Sequence, residues 1–379
     1  MIRSTPTKSG RFSARFAMLG LGLTSAMVLA ACGSSGSASS SSSSAAGSSS
    51  AAAGGGKIAV SLITKDSTNP FFVAMQAGAK KGGADAGVDV TIASGKAEGD
   101  DQGQIDAIEN AISAKQKGIL ITPMSTGVND AIKKARDAGL FVIALDTPPD
   151  PANTVDITFA TDNREAGKLI GQYTATKLAG KKAVIALLDI FNDKIVSVDY
   201  NRDQGFLEGM GIPVNDPKKN GDEVKTGKYT GGKGGDYEIV GNEATGANQE
   251  GGQKGMEKLL AKNKNINVIY TINEPTAEGA NAALKAAGNT DHILVSVDGG
   301  KTGVQDVADG VIDATSQQYP LKMASLGIAA IVDYVKNNKK PDVSAGLDFF
   351  NTGVTLIAKT PEAGVDSKDP AYGLANAWG

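Results

Sequence analysis

Along this chain of 379 residues, the side chains with chemical potential stand just beyond short apolar runs. Asn69, Phe71 and Phe72 follow "KIAVSLI", Asp146 follows "LFVIAL", Asn273 follows "NVIYTI", and Asp298 ends "ILVSVD". Arg202 lies at the start of "NRDQGFLEGM", and Gln317 and Gln318 lie within "ATSQQYP". Carboxylates accept hydrogen bonds, arginine donates them, and side-chain amides do both, which matches the paired donor and acceptor character of sugar hydroxyls. Aromatic rings suit the C–H faces of a sugar, so the set as a whole points to carbohydrate binding. Adjacent helical positions point about 100° apart. One of the two phenylalanines is therefore expected at a cleft, and the other partly in the core.

The elements that must position these residues alternate. Strand-like runs at 57–63, 88–93, 118–123, 140–145, 182–189, 237–241, 267–272 and 293–298 are separated by amphipathic stretches such as "DQGQIDAIENAISAKQ" and "GVNDAIKKARDAG". Several stretches end at Gly87, Gly139 or Gly288, as helices commonly do. Continuous apolar strands alternating with helices predict an α/β protein with parallel sheets covered on both faces. The pattern runs four strands, pauses at 146–163, and runs four more, which predicts two doubly wound lobes. Residues 213–236 read as a surface loop rich in glycine and lysine, and "FFNTGVTLIA" as one strand. In such sheets ligand groups gather beyond the carboxyl ends of the strands, where this set stands. Each residue also has a structural use: Asp146 and Asp298 suit strand-end caps, and Asn273 suits the N-cap of a helix over 275–287.

Composition narrows the chemistry. The net charge is −3 and the basic residues are dispersed, which gives no footprint for nucleic acid. His292 is the single histidine and Cys32 the single cysteine, so a zinc cluster or a Ser/His or Cys/His pair has no residues to use. "GGKT" at 299–302 lacks the first glycine of a phosphate loop, since Val295 stands there. The sequence predicts no enzyme, no cofactor and no metal.

The first residues form a different region. Arg3, Lys8, Arg11 and Arg15 precede the apolar "FAMLGLGLTSAMVLAA", the order of a signal peptide over 1–31. Leu29, Ala30 and Ala31 before Cys32 resemble the bacterial lipobox, which implies cleavage there and acylation of Cys32. Residues 32–56, rich in Ser, Gly and Ala, read as a flexible tether. The expectation is an exported protein, lipid-anchored to the outer face of the cell membrane.

"NPFF", "LD" at 145–146, "ATDN" at 160–163, "NRDQGF", "INE" at 272–274, "VDGG" at 297–300 and "ATSQQYP" occur in that order. In this the chain resembles the ribose-binding type of periplasmic solute-binding protein, which serves bacterial ABC sugar importers, over nearly all of 57–359. "TINEPTAEGA", "SVDGG" and "FNTGVTL" look most like its fructose-binding members. Ribose binders carry arginine where Thr147 stands and an aromatic residue where Val297 stands. The resemblance implies sugar contacts from Asn69, Phe71, Phe72 and Asp146 on one lobe and from Arg202, Asn273 and Asp298 on the other, with Thr161 and Gln318 at the crossovers. It implies lobes of 57–161 plus 319–350 and 162–318 plus 351–379, a hinge of three crossovers, and Arg202 close to at least one aspartate. It also implies a monomer that closes on a monosaccharide, fructose foremost, and docks on a membrane permease. A sensory subunit feeding a chemoreceptor or histidine kinase is the alternative.

Overall fold

The computed structural model of the protein describes residues 57–379. The signal peptide, Cys32 and the whole tether lie outside the described residues.

The chain opens with alternating strands and helices: β1 (Ala59–Thr64), α1 (Pro70–Ala86), β2 (Asp89–Ser94), α2 (Asp101–Ser113), β3 (Gly118–Ile121), α3 (Asn129–Asp137) and β4 (Phe141–Leu145). The expected pause holds a further strand, β5 (Ile157–Ala160). The chain then enters a second unit with α4 (Asn163–Leu178), β6 (Ala183–Asp189), α5 (Ser197–Met210), β7 (Thr226–Tyr229) and β8 (Gly235–Ala244). There follow α6 (Gln249–Lys262), β9 (Val268–Thr271), α7 (Glu274–Ala286), β10 (Ile293–Asp298), α8 (Lys301–Asp309) and β11 (Ala314–Gln317). The chain returns to the first unit through α9 (Pro320–Asn337) and β12 (Phe350–Asn351), then finishes in the second with β13 (Thr355–Ala358) and α10 (Pro370–Asn376).

Two sheets result. The first has six strands in the order β12-β5-β4-β3-β1-β2, and the second has seven in the order β13-β11-β10-β9-β6-β8-β7. Pairing is parallel except where β7 meets β8 and β13 meets β11. We call the sheets with their helices the first and second lobes. Three passages join them: after β5, after β11, and between β12 and β13.

The central strands β3, β4, β6 and β9 are almost wholly apolar because helices cover both faces. In β3, Leu120 points into the core shared with α1 and α9, while Ile119 and Ile121 point into the opposite core with α2 and α3. That alternation follows from the two-residue pleat. The helices begin on side-chain caps from Asn69, Asp100, Asp162, Asn248 and Asn273. Gly87, Gly139 and Gly288, just past three helices, all have φ between 68° and 87°.

Three sequence readings need correction. The stretch 213–236 contains β7, which pairs antiparallel with β8 and extends the sheet edge. Its polar composition suits an edge strand that meets water. "FFNTGVTLIA" is two strands in different sheets, because Gly353 at φ 96° turns the chain between them. β5 escaped notice because its four residues lie among prolines, aspartates and asparagines, where turn signals dominate.

Candidate functional site

The first lobe begins the site where β1 ends. Asp66 Oδ1 accepts hydrogen bonds from the Thr68 amide at 2.7 Å and the Asn69 amide at 2.7 Å, which turns the chain sharply. Asn69 Oδ1 then caps α1 by accepting from the Phe71 amide at 3.0 Å. This sets the first turn of α1 directly over the strand ends. Both rings of that turn are buried: Phe71 and Phe72 meet edge to face at 5.5 Å and pack with Leu62 and Met75. The expected split, with one ring toward the cleft, is not seen. Phe71 is covered instead by Trp378, centroid to centroid 5.3 Å, from the end of the chain.

Asp146 follows β4 with φ 65°, in a tight turn closed by the Thr147 amide on the Leu145 carbonyl at 2.6 Å. Thr147 Oγ1 donates to Asp146 Oδ2 at 2.7 Å. Across the cleft, Asp298 ends β10 with φ 139°. Two aspartates held in backbone conformations that non-glycine residues avoid store strain, a feature concentrated at functional sites.

Arg202 lies between them. Its Nη2 is 3.8 Å from Asp146 Oδ1 and its Nη1 is 3.7 Å from Asp298 Oδ1. Nε donates to Asn163 Oδ1 at 2.8 Å and Nη1 to the Ile272 carbonyl at 2.9 Å, so the second lobe fixes the guanidinium. The backbone under it is fixed by close contact of α4 with α5. A Cβ on Gly167 would fall 2.1 Å from the Arg202 carbonyl oxygen, and one on Gly205 would fall 2.2 Å from that of Arg164. Only glycine lets these helices approach so near.

The other expected residues divide. Gln318 Nε2 donates to Asp298 Oδ1 at 2.7 Å and joins the cluster. Asn273 is buried beside it, but its side chain is engaged locally. Oδ1 accepts from the Thr276 amide and hydroxyl at 3.1 and 2.7 Å, and Nδ2 donates to the Ala247 carbonyl at 3.0 Å. Thr161 Oγ1 donates to the Gly353 carbonyl at 3.3 Å and ties two interlobe passages together. Gln317 bonds to the Gly299 and Gly373 carbonyls, away from the cluster.

Sequence reasoning missed several participants. Lys65, directly after β1, is 1% exposed, and its ammonium is 3.8 Å from Glu98 Oε1. Its place at a strand end was the available signal. Glu98 sits in the loop after β2, where no pattern marks it. Asn163 and Asp199 belong to helix starts, and Asn163 was concealed inside "ATDN". Glu274 accepts from the Gly299 and Gly300 amides at 2.8 and 3.0 Å and from Thr315 Oγ1 at 2.8 Å.

Carboxylates outnumber cations here, and water is largely excluded. Burial pushes the Asp298 carboxyl up to about 7 against the opposing pull of Arg202 and Gln318, and raises Glu98 to about 7 against Lys65. Burial likewise lifts Asp199 to about 6, opposed by hydrogen bonds from the Ile190 and Phe191 amides. Glu274 is held well above its ordinary value by burial and by Asp298. Within this cluster, Asp146 Oδ1, Gln318 Oε1 and Glu98 Oε2 are buried acceptors with no hydrogen-bond partner among the described residues. Such groups are costly to bury alone. Hydroxyl groups of a solute have the donors that such acceptors lack. A cavity of about 140 Å³ adjoins Asn69, Asp298, Glu274 and Trp378.

The lobes touch around this cluster. Lys194 of the second lobe donates to the Gly99 carbonyl at 2.7 Å, Ser197 to the Pro148 carbonyl, and Lys218 pairs with Asp150 at 2.8 Å.

Two doubly wound lobes joined by three passages, with a polar cluster buried between them, define a two-lobed solute-binding protein. The chain belongs to the periplasmic binding protein family: the model of that domain matches residues 58–340. It is 25% identical over 284 residues to the ribose import binding protein of Escherichia coli (strain K12), covering 75% of this chain and 86% of that one. It is 29% identical over 280 residues to the D-apiose import binding protein of Actinobacillus succinogenes, covering 73% and 82%. A galactofuranose binding protein aligns with TM-score 0.66 and 24% identity over 79% of this chain and 94% of that one. An ABC transporter solute-binding protein from Agrobacterium vitis with bound D-fucose aligns with TM-score 0.67 and 24% identity over 82% and 100%. The chain is therefore a binding protein of the periplasmic type, and not an enzyme. No helix among the described residues is long and apolar enough to cross a membrane.

Proposed function

We propose that this protein captures a monosaccharide between its lobes and delivers it to a membrane permease, with fructose as the first sugar to test. The observation that carries the reading is Arg202 suspended between Asp146 and Asp298, beside buried acceptors without partners. Sugar hydroxyls would donate to the Asp146 and Gln318 oxygens and accept from Arg202 and Lys65. Contacts to both lobes favour the closed arrangement, which is how a ligand shifts such an equilibrium. Asn69, Phe71, Phe72 and Asn273 would then shape the walls and Thr161 the hinge. Acylated Cys32 would hold a monomer at the membrane through the tether. The relatives' names speak of ribose and apiose. The preference for a ketose rests on the fructose-type segments "TINEPTAEGA" and "FNTGVTL".

Calorimetric titration against D-fructose, D-ribose, D-allose, D-apiose, D-glucose, D-xylose and myo-inositol tests it. One sugar is expected to bind, and Asp298→Ala to weaken it at least ~100-fold, the scale of lost hydrogen bonds to a charged group. No heat from any sugar, in folded protein freed of co-purified solute, overturns the monosaccharide reading.

A further inference from the structure

The end of the chain reaches back to the site. α10 rests on the second lobe: the Gly373 carbonyl accepts from Gln317 Nε2 at 3.0 Å, and a Cβ on Gly373 would meet Val304 at 2.8 Å. Beyond it, the Trp378 carbonyl accepts from the Lys301 amide at 2.9 Å, and Trp378 bridges to Gly300. The backbone of the tail is thus fixed to the second lobe two residues after Asp298. Its side chain goes elsewhere. The Trp378 indole is 5% exposed and belongs to the first lobe's core with Phe71, Phe72 and Met75. The indole N–H donates to the Gln318 carbonyl at 2.9 Å, and Gln318 in turn holds Asp298.

One residue therefore grips three parts of the clamp: the second lobe by its backbone, the first lobe by its ring, and the passage after β11 by its N–H. The lobes cannot separate about their passages without either drawing the indole out of the first lobe's core or peeling the tail from α8. Both routes expose apolar surface, which opposes opening.

We propose that Trp378 is a positioning residue of the solute site, and that the segment from α10 onward is a strap holding the lobes closed around it. The proposal rests on the reading of the cleft at Arg202 as the solute site. The strap acts with or without solute, and that permits a separate test.

In a Cys32→Ser background, Lys81→Cys on α1 and Lys254→Cys on α6 place one spin label on each lobe at exposed positions. Interlobe distances are measured in the absence of sugar for the parent, Trp378→Ala and Trp378→Phe. The Ala variant is expected to shift population to longer distances. The Phe variant keeps a ring on Phe71 but loses the N–H, and is expected to fall between the two. For the sugar that calorimetry identifies, affinity should fall about tenfold in Trp378→Ala, the scale of losing one well-packed aromatic pair with its hydrogen bond. Trp378 is the single tryptophan, so its emission in the parent also reports closure directly. Distances that stay at the parent value in both variants overturn the strap, whatever the titrations give. If the Ala variant does not fold, the Phe variant decides alone. Lengthened distances in a protein that binds no sugar keep the strap and remove the solute reading.

Discussion

The two lobes bring different kinds of side chain to the cleft. On the second, nearly every polar group is held by its own lobe. Arg202 is bonded to Asn163 and the Ile272 carbonyl, Asn273 to its helix start, and Asp298 to Gln318 at the passage. On the first, Lys65 has only Glu98 at 3.8 Å, and Asp146 and Glu98 each keep an oxygen without a hydrogen-bond partner. The second lobe is thus a rigid platform whose geometry exists before a solute arrives, and preorganisation of this kind lowers the cost of binding. The first lobe carries charge still in need of partners, which a solute in the cleft would supply. The difference predicts that damage to the platform is felt more strongly than damage to the first lobe or to the rim.

Removing Arg202 should have the largest effect. Arg202→Ala leaves Asp146 and Asp298 facing each other without a cation, and stripping one partner from a buried charged cluster costs about 3–5 kcal/mol. Sugar binding should vanish from calorimetry and the thermal midpoint should fall. Arg202→Lys should not restore binding, because a single ammonium cannot replace a fork that reaches Asn163, Ile272 and both aspartates. A lysine variant that binds normally would show that the platform supplies charge and not geometry.

The first lobe can be probed through Glu98, whose carboxyl rises from its ordinary 4.5 to about 7. The folded protein holds this proton more tightly than the unfolded chain does. The stability it contributes is therefore full below pH 4.5 and lost as pH rises through 7, about 3 kcal/mol in all at 1.4 kcal/mol per pH unit. Glu98→Gln removes that dependence. Its stability relative to the parent should grow between pH 4.5 and pH 8 in urea unfolding, even though Lys65 loses its partner at every pH. Asp298 and Glu274 titrate in both proteins and cancel in the difference, and Asp199, whose charge acts on Glu98, leaves only a smaller remainder. A flat difference across that range would mean Glu98 is ionised and solvated, and the first lobe less starved of partners than its geometry implies.

The same contrast governs what could be read from sequence. Sheets and helices were legible because buried strands such as "GILI" and "LFVIAL" must be continuously apolar, and helix ends such as Gly87, Gly139 and Gly288 carry their own signature. Strand-end residues were legible because parallel sheets deliver them to one place, which brought Asp146, Arg202, Asp298 and Gln318 within reach. What failed depended on contacts distant in sequence. Glu98 is significant only because the pairing of β1 with β2 sets its loop beside Lys65. Phe71 looked available for a solute only while Trp378, 307 positions later, had no assigned place. Asn273 showed the opposite case, where the local role as a helix cap consumed the side chain.

The smallest effect should come from the rim. Lys194 donates to the Gly99 carbonyl at 2.7 Å and pairs with Asp101 at 3.2 Å, so it joins the lobes without touching Arg202. Its side chain is 26% exposed and that of Asp101 27%, so water screens the pair, and exposed pairs are typically worth ~0.2–1 kcal/mol. Because the contact exists only between closed lobes, its loss in Lys194→Ala should appear in sugar affinity, and at this small scale it should lower the thermal midpoint of the sugar-free protein only slightly. The expected weakening is at most about fivefold, and it should shrink in 1 M salt, where the screening length is about 3 Å. A loss much above tenfold that persists in salt would place the rim on a level with the platform. The two sides of the cleft would then share the work of recognition, and the rigid second lobe would not hold the larger part.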